Sequence, residues 1–147
     1  YELDAIVRRA VRRFAGEFIG RKLKLCYEPL NVSCVTDEKW LLFVIEHVLS
    51  NALKYTRAGS ITIELEAPKT LVIRDTGIGV APEDLPRIFE KGYTGYNGRS
   101  RRKASGLGLY LCREILTRLG HSVSAESQVD HGTTIRIDLR QHKTMQE

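Results

Sequence analysis

Apolar residues recur at helical spacing from the start of the chain. Leu3, Ile6, Val7, Ala10, Val11, Phe14 and Phe18 fall on one face, opposite Arg8, Arg9, Arg12 and Arg13. This predicts an amphipathic helix over residues 2 to about 18, with its arginines in solvent. Residues 23–27 and 32–35 read as short strands around the turn Glu-Pro-Leu-Asn. Asp37 is placed to cap a second helix over residues 38–55, with Trp40, Leu41, Val44, Val48 and Leu49 on its core face. Residues 60–67 alternate as a strand, and residues 70–75 form the next, joined by the turn Ala-Pro-Lys. From Thr76 to Ser105 the pattern is mostly loop, with a short helix near residues 82–89. A last helix ends at Gly120, and residues 122–127 and 133–139 close the chain as a hairpin. The predicted architecture is a two-layer α/β (α+β) sandwich: a mostly antiparallel sheet with helices on one face.

Composition narrows this picture only slightly. The chain has 147 residues, 42% hydrophobic and 28% charged, which suits one globular domain with its own core. It has no apolar run near the ~18 residues that a membrane span needs. Cys26, Cys34 and Cys112 are odd in number and fit no zinc or redox spacing, so they read as reduced core residues of a cytosolic domain. The net charge is +5, which raises nucleic acid as a partner. Much of that charge sits on the first helix, where a solvated face explains it. The rest lies in Arg99, Arg101, Arg102 and Lys103, inside a glycine-rich loop, and suggests an anionic ligand.

Three stretches carry candidate chemistry. His47-Val-Leu-Ser-Asn51-Ala-Leu-Lys54-Tyr55-Thr places polar groups at spacings of four and three in an apolar helix, so His47 and Asn51 share a face. Asp75-Thr-Gly77-Ile78-Gly79 follows a strand directly. Its glycines permit a sharp turn and close approach to a ligand, although Asp and Gly also build plain turns. Ser105-Gly106-Leu107-Gly108-Leu109 opens a helix. Backbone N–H groups there suit phosphate, though a simple helix entry uses the same residues.

Taken together and in order, with Arg-Ile-Phe89-Glu-Lys-Gly-Tyr93-Thr-Gly-Tyr-Asn-Gly and Gly-Thr-Thr134, these stretches resemble the catalytic and ATP-binding domain of bacterial sensor histidine kinases. Those kinases share the Bergerat fold with gyrase, Hsp90 and MutL. The resemblance covers nearly the whole chain, and within the family it is closest to small kinases paired with antibiotic-peptide transporters. It implies ATP as the nucleotide and Mg2+ as the metal. Asn51 would hold magnesium through its side-chain oxygen, Lys54 would reach the phosphates, and Tyr55 would lie against the adenine. Asp75 would accept the adenine amine, with Gly77, Ile78 and Gly79 closing the loop on the base. Thr134 would hold an adenine-bound water. Gly106, Leu107, Gly108 and Leu109 would cradle phosphate at the end of a mobile lid that Phe89 and Tyr93 anchor.

Two departures from the family matter. Many members carry Asn where this chain has His47, and the related ATPases carry a glutamate base at that position. The chain lacks that base, which argues for transfer to a protein acceptor over hydrolysis. None of the four histidines, His47, His121, His131 and His142, lies in a helical H-E/D-x-x-T/N/R context. The resemblance therefore implies a phosphoacceptor histidine on a dimerisation domain N-terminal to residue 1, and a response regulator downstream. It implies a cytoplasmic, monomeric domain of a homodimeric, membrane-bound parent, without nucleic acid or direct membrane contact. A serine kinase of the anti-sigma-factor type and a degenerate nucleotide-binding switch are the alternatives.

Overall fold

A computed structural model describes residues 1–92 and 108–141. In chain order these form α1 (Leu3–Arg21), β1 (Lys24–Tyr27), α2 (Glu38–Tyr55), β2 (Ser60–Glu66), β3 (Thr70–Asp75), a 3-10 turn (Leu85–Arg87), α3 (Gly108–Arg118), β4 (Ser122–Gln128) and β5 (Gly132–Asp138). The five strands make one sheet in the order β1-β2-β3-β5-β4. Only β1 and β2 run parallel; the other pairs are antiparallel. Among the described residues, no helix is long and apolar enough to cross a membrane.

Register sorts the sheet into two faces, because residues directly opposite in antiparallel strands point the same way. Three rows face the helices: Ile61–Asp75–Thr133–Ser127, Ile63–Ile73–Ile135–Ala125 and Leu65–Leu71–Ile137–Val123. Against them pack Leu41, Val44, Ile45, Val48, Leu49 and Leu53 of α2, Ile6 and Val7 of α1, and Cys112 and Leu116 of α3, in one continuous core. Cys34 is buried with them, and Cys26 is partly exposed; all three cysteines are free. The opposite face carries Thr62, Arg74, Thr134 and Glu126 in one row.

The helices depart from expectation at their ends. Residues 2 to about 18 were expected to be helical, but α1 runs on to Arg21. It stops where Lys22 turns left-handed at φ 56°, with its N–H on the Ile19 carbonyl. The bounds of α2 match the reading, and the Asp37 side chain accepts from the Trp40 N–H at 3.0 Å. Trp40 itself is not a core residue. It is 48% exposed, one step outside the buried stripe, with its ring edge-on to Phe43. The helix expected near residues 82–89 shrinks to the 3-10 turn, with Ile88 and Phe89 buried behind it.

Residues 32–35 do not form a strand with β1. The Leu30 and Asn31 amides donate instead to the buried Asp4 carboxylate, at 2.8–3.0 Å, and the Tyr27 hydroxyl donates to it as well. That turns the chain back onto its own beginning. Leu3 N–H bonds Val32 O at 3.0 Å, Cys34 N–H bonds Tyr1 O at 2.9 Å, and Glu2 bridges Ser33. β1 pairs with β2 instead. The arginines of α1 lie in solvent as expected, where Arg9 meets Glu38 at 3.4 Å and Arg13 meets Glu46 at 2.9 Å.

Burial alone works to raise the Asp4 pKa, but the Tyr27 hydroxyl and the two amides outweigh it and hold the carboxyl below the ordinary aspartate range. A lowered folded value adds stability above the unfolded pKa of ~3.9, and that stability is lost as pH falls through the folded value. Asp4→Ala is expected to cost about 2–3 kcal/mol near neutrality, the size of hydrogen bonds to a charged group. Denaturant titrations should show a constant difference from wild type between about pH 5 and 8, shrinking below about pH 4.

Candidate functional site

The strongest polar feature of the core lies at one end of the sheet. Asp75, the last residue of β3, is only 8% exposed. Its Oδ1 accepts from Gly77 N–H at 2.8 Å and from Thr133 N–H at 3.2 Å. Its other carboxylate oxygen has no hydrogen bond among the described residues. Burial pushes the Asp75 pKa up, and the two amides only partly offset this.

The loop after Asp75 is pinned at three points. Ile78 N–H donates to the Tyr55 carbonyl at 3.1 Å, Asp130 N–H donates to the Ile78 carbonyl at 2.8 Å, and Val80 N–H donates to Ser127 Oγ at 2.7 Å. These contacts, with the end of α2 on one side and the end of β4 on the other, explain the glycines. A methyl group on Gly77 would lie 2.3 Å from the Tyr55 carbonyl oxygen. Gly79 sits at φ 75°, and a methyl there would lie 2.2 Å from the Gln128 carbonyl oxygen.

α2 carries the remaining polar candidates. Asn51 is half-buried and makes no side-chain hydrogen bond among the described residues. Lys54 is exposed, with Nζ 5.6 Å from the Tyr55 ring centre. His47 is half-buried, with its ring centre 4.4 Å from that of Phe43. A methyl group on Gly108 of α3 would lie 3.4 Å from His47 Nδ1, so His47 spans the junction between α2 and α3. Burial lowers the His47 pKa against the pull of Glu46, which favours the neutral imidazole. Leu109 packs on the core. Phe89 is buried, and the Arg113 guanidinium lies 5.8 Å from its ring centre. Tyr93, Gly106, Leu107, Arg99, Arg101, Arg102, Lys103 and His142 lie outside the described residues.

The register sets the two adjacent threonines on opposite faces of the sheet. Thr134 stands opposite Arg74 and Glu126, on the face away from the helices. Its neighbour Thr133 shares the row of Asp75, gives it a backbone hydrogen bond, and lies 2.8 Å from Ser127 Oγ through its own hydroxyl. A strand residue one step along points to the opposite face, so the choice between two adjacent threonines follows from register alone. Ser127 and Arg21 were not anticipated either. Arg21 donates to the Leu53 and Thr56 carbonyls at 2.6 and 2.9 Å, closing the C-terminus of α2. Counting alternate residues from Asp75 across a predicted β3–β5 pair would have found Thr133. Nothing local marks Arg21.

The chain belongs to the family of histidine kinase-, DNA gyrase B- and HSP90-like ATPases, whose family model matches residues 36–143. It is 34% identical over 142 residues to the sensor histidine kinase YxdK of Bacillus subtilis, covering 93% of this chain and 43% of that protein. It is 42% identical over 138 residues to the sensor protein BceS of Halalkalibacterium halodurans, covering 92% and 41%. The chain thus spans less than half the length of these relatives. In fold it is similar to the catalytic domain of histidine kinase ThkA, with a TM-score of 0.81 at 20% identity over 95% of this chain and 94% of that one. Full-length ShkA, solved in complex with AMPPNP, gives a TM-score of 0.81 at 21% identity over 95% of this chain and 30% of that one.

The raised Asp75 pKa has a consequence for stability. A carboxyl whose folded value lies above its unfolded value destabilises the fold once it is ionised. Asp75→Asn keeps an oxygen for the Gly77 and Thr133 amides and removes the charge. Thermal melting should show the variant at least as stable as wild type at pH 7.5. That advantage should vanish below about pH 4, where the carboxyl is protonated in both states.

Proposed function

We propose that this domain binds Mg–ATP and transfers the γ-phosphate to a histidine on a separate dimerisation domain of a parent sensor kinase, for relay to a response regulator. The observation that carries the reading is the half-used Asp75 carboxylate. One oxygen is spent on the Gly77 and Thr133 amides, and the other is left to accept from a base. An adenine amine supplies the proton it needs. Tyr55, at the end of α2 and tied to Ile78 by its carbonyl, is the aromatic proposed to lie against the base.

The phosphates would then run along α2 toward α3. Lys54 would meet them as a charge, and Gly108 and Leu109 as part of a backbone cradle. A magnesium ion bound with the triphosphate would neutralise the charge that develops during transfer. Asn51 fits as its protein ligand: among the described residues its amide has no hydrogen-bond partner, and a neutral oxygen suits a hard cation already bound by phosphate. His47 stands four residues before Asn51, where the related ATPases carry a glutamate base. Held between Phe43 and Gly108, it is a positioning group on the phosphate side. Its presence there favours a protein acceptor over water.

The acceptor imidazole would attack the γ-phosphorus in line as the bond to the β-phosphate oxygen breaks. The domain's task is positioning and charge neutralisation. The parent is proposed to be a membrane-bound homodimer with this domain on its cytoplasmic side.

Two outcomes test the reading. Asn51→Ala should abolish phosphotransfer to the parent's histidine domain while calorimetry still detects ADP; full activity in the variant rules out the metal assignment. Isolated chain incubated with radiolabelled ATP should carry no stoichiometric label after neutral gel separation. Adding a fragment of the parent that bears the dimerisation helices should give acid-labile phosphate on that fragment. Acid-stable phosphoserine on a partner would instead favour the serine-kinase alternative.

A further inference from the structure

The row that contains Asp75 ends in groups whose protons can be counted. Ser127 Oγ has three partners. Val80 N–H donates to it at 2.7 Å, the Gly132 carbonyl lies 2.9 Å away, and Thr133 Oγ1 lies 2.8 Å away. A serine hydroxyl has one proton and two lone pairs. A carbonyl only accepts, so the Ser127 proton goes to Gly132. An amide only donates, so Val80 takes one lone pair. In the remaining contact the proton must come from Thr133.

Thr133 therefore has no proton left for a ligand; its hydroxyl offers lone pairs alone. It shares a row with Asp75, whose Oδ1 it bonds through its backbone N–H. Among the described residues, this row of the sheet thus presents two side-chain acceptors, Asp75 and Thr133, and no side-chain donor. An exocyclic amine carries two protons and matches it, directly or through one water. A ring carbonyl in the same place would face only lone pairs. Without Ser127 the Thr133 hydroxyl is free to rotate and donate, and so to accommodate a carbonyl.

We propose that Ser127 is a specificity-determining positioning residue: by accepting the Thr133 proton it keeps that hydroxyl an acceptor and sharpens the choice of adenine over guanine beyond what Asp75 alone imposes. The assignment rests on the nucleotide-binding reading above. It locates part of base selectivity on β4, a strand that no candidate ligand residue occupies.

Calorimetry with ATP and GTP in the presence of magnesium tests it on four chains: wild type, Ser127→Ala, Thr133→Val and the double variant. Ser127→Ala should lower the ATP-to-GTP affinity ratio about five- to tenfold, the scale of one neutral hydrogen bond. In the Thr133→Val background the same change should leave the ratio unmoved, because there is no hydroxyl to orient. Ser127→Thr, which restores a hydroxyl, should keep the wild-type ratio. A merely structural serine would weaken both nucleotides in proportion, and an unchanged ratio in Ser127→Ala overturns the proposal. So does a ratio that still shifts in the Thr133→Val background. If melting shows Ser127→Ala unfolded, Ser127→Cys fills the site with a poor acceptor and should shift the ratio in the same direction. A wild-type chain that binds neither nucleotide refutes the nucleotide reading itself, and this assignment with it.

Discussion

A carboxylate kept out of water organises one end of this domain. Burying Asp75 is costly, and the cost is reduced only where amides point at it. Gly77 and Thr133 supply those amides from opposite sides, one from the loop after β3 and one from β5. The same two bonds therefore fix the turn of the loop and the register of the strands. A slip of one residue would turn Ile73, Ile135 and Ile137 out of the core and Arg74 and Arg136 into it. The register that buries the apolar rows is the one that sets Asp75, Thr133 and Ser127 side by side. Core and site are one constraint.

α2 carries the proposed ligand residues and is held at both ends by charge. The Asp37 carboxylate accepts from the Trp40 N–H at its start, and the Arg21 guanidinium donates to the Leu53 and Thr56 carbonyls at its finish. Both agree with the helix dipole. Arg21 belongs to the last turn of α1, so the two longest helices are locked where Lys54 and Tyr55 emerge. On the other side of that turn, the Tyr55 carbonyl receives the Ile78 amide. The end of α2 is thus clamped between α1 and the glycine loop. A group at that end keeps its place only while both neighbours keep theirs.

The sheet face away from the helices is covered by ion pairs. Arg74 meets Glu64 at 2.6 Å, and Arg136 meets Glu66 at 3.0 Å and Glu126 at 2.9 Å. Each exposed pair is worth little by itself. Val72, opposite Glu64 and Arg136 in the register, is fully buried on this face.

By itself the sequence determined the elements whose signals are local. The period of 3.6 and the Asp37 cap bounded α2, alternation marked β2 and β3, and the Gly77–Gly79 pair marked the loop that packs on a helix end. The candidates Asp75, Asn51 and Lys54 could be named because each stands at a fixed offset within such an element. Only the tertiary structure decided which of Thr133 and Thr134 shares a row with Asp75, because that depends on pairing with β3, nearly sixty residues away along the chain. It also decided that residues 32–34 join the chain's start and not β1, through the buried carboxylate of Asp4, and that Arg21 closes α2. Ser127 belongs with these. On its own strand it is an ordinary half-buried serine, and its meaning comes from Val80, Gly132 and Thr133, which the fold brings to its single hydroxyl.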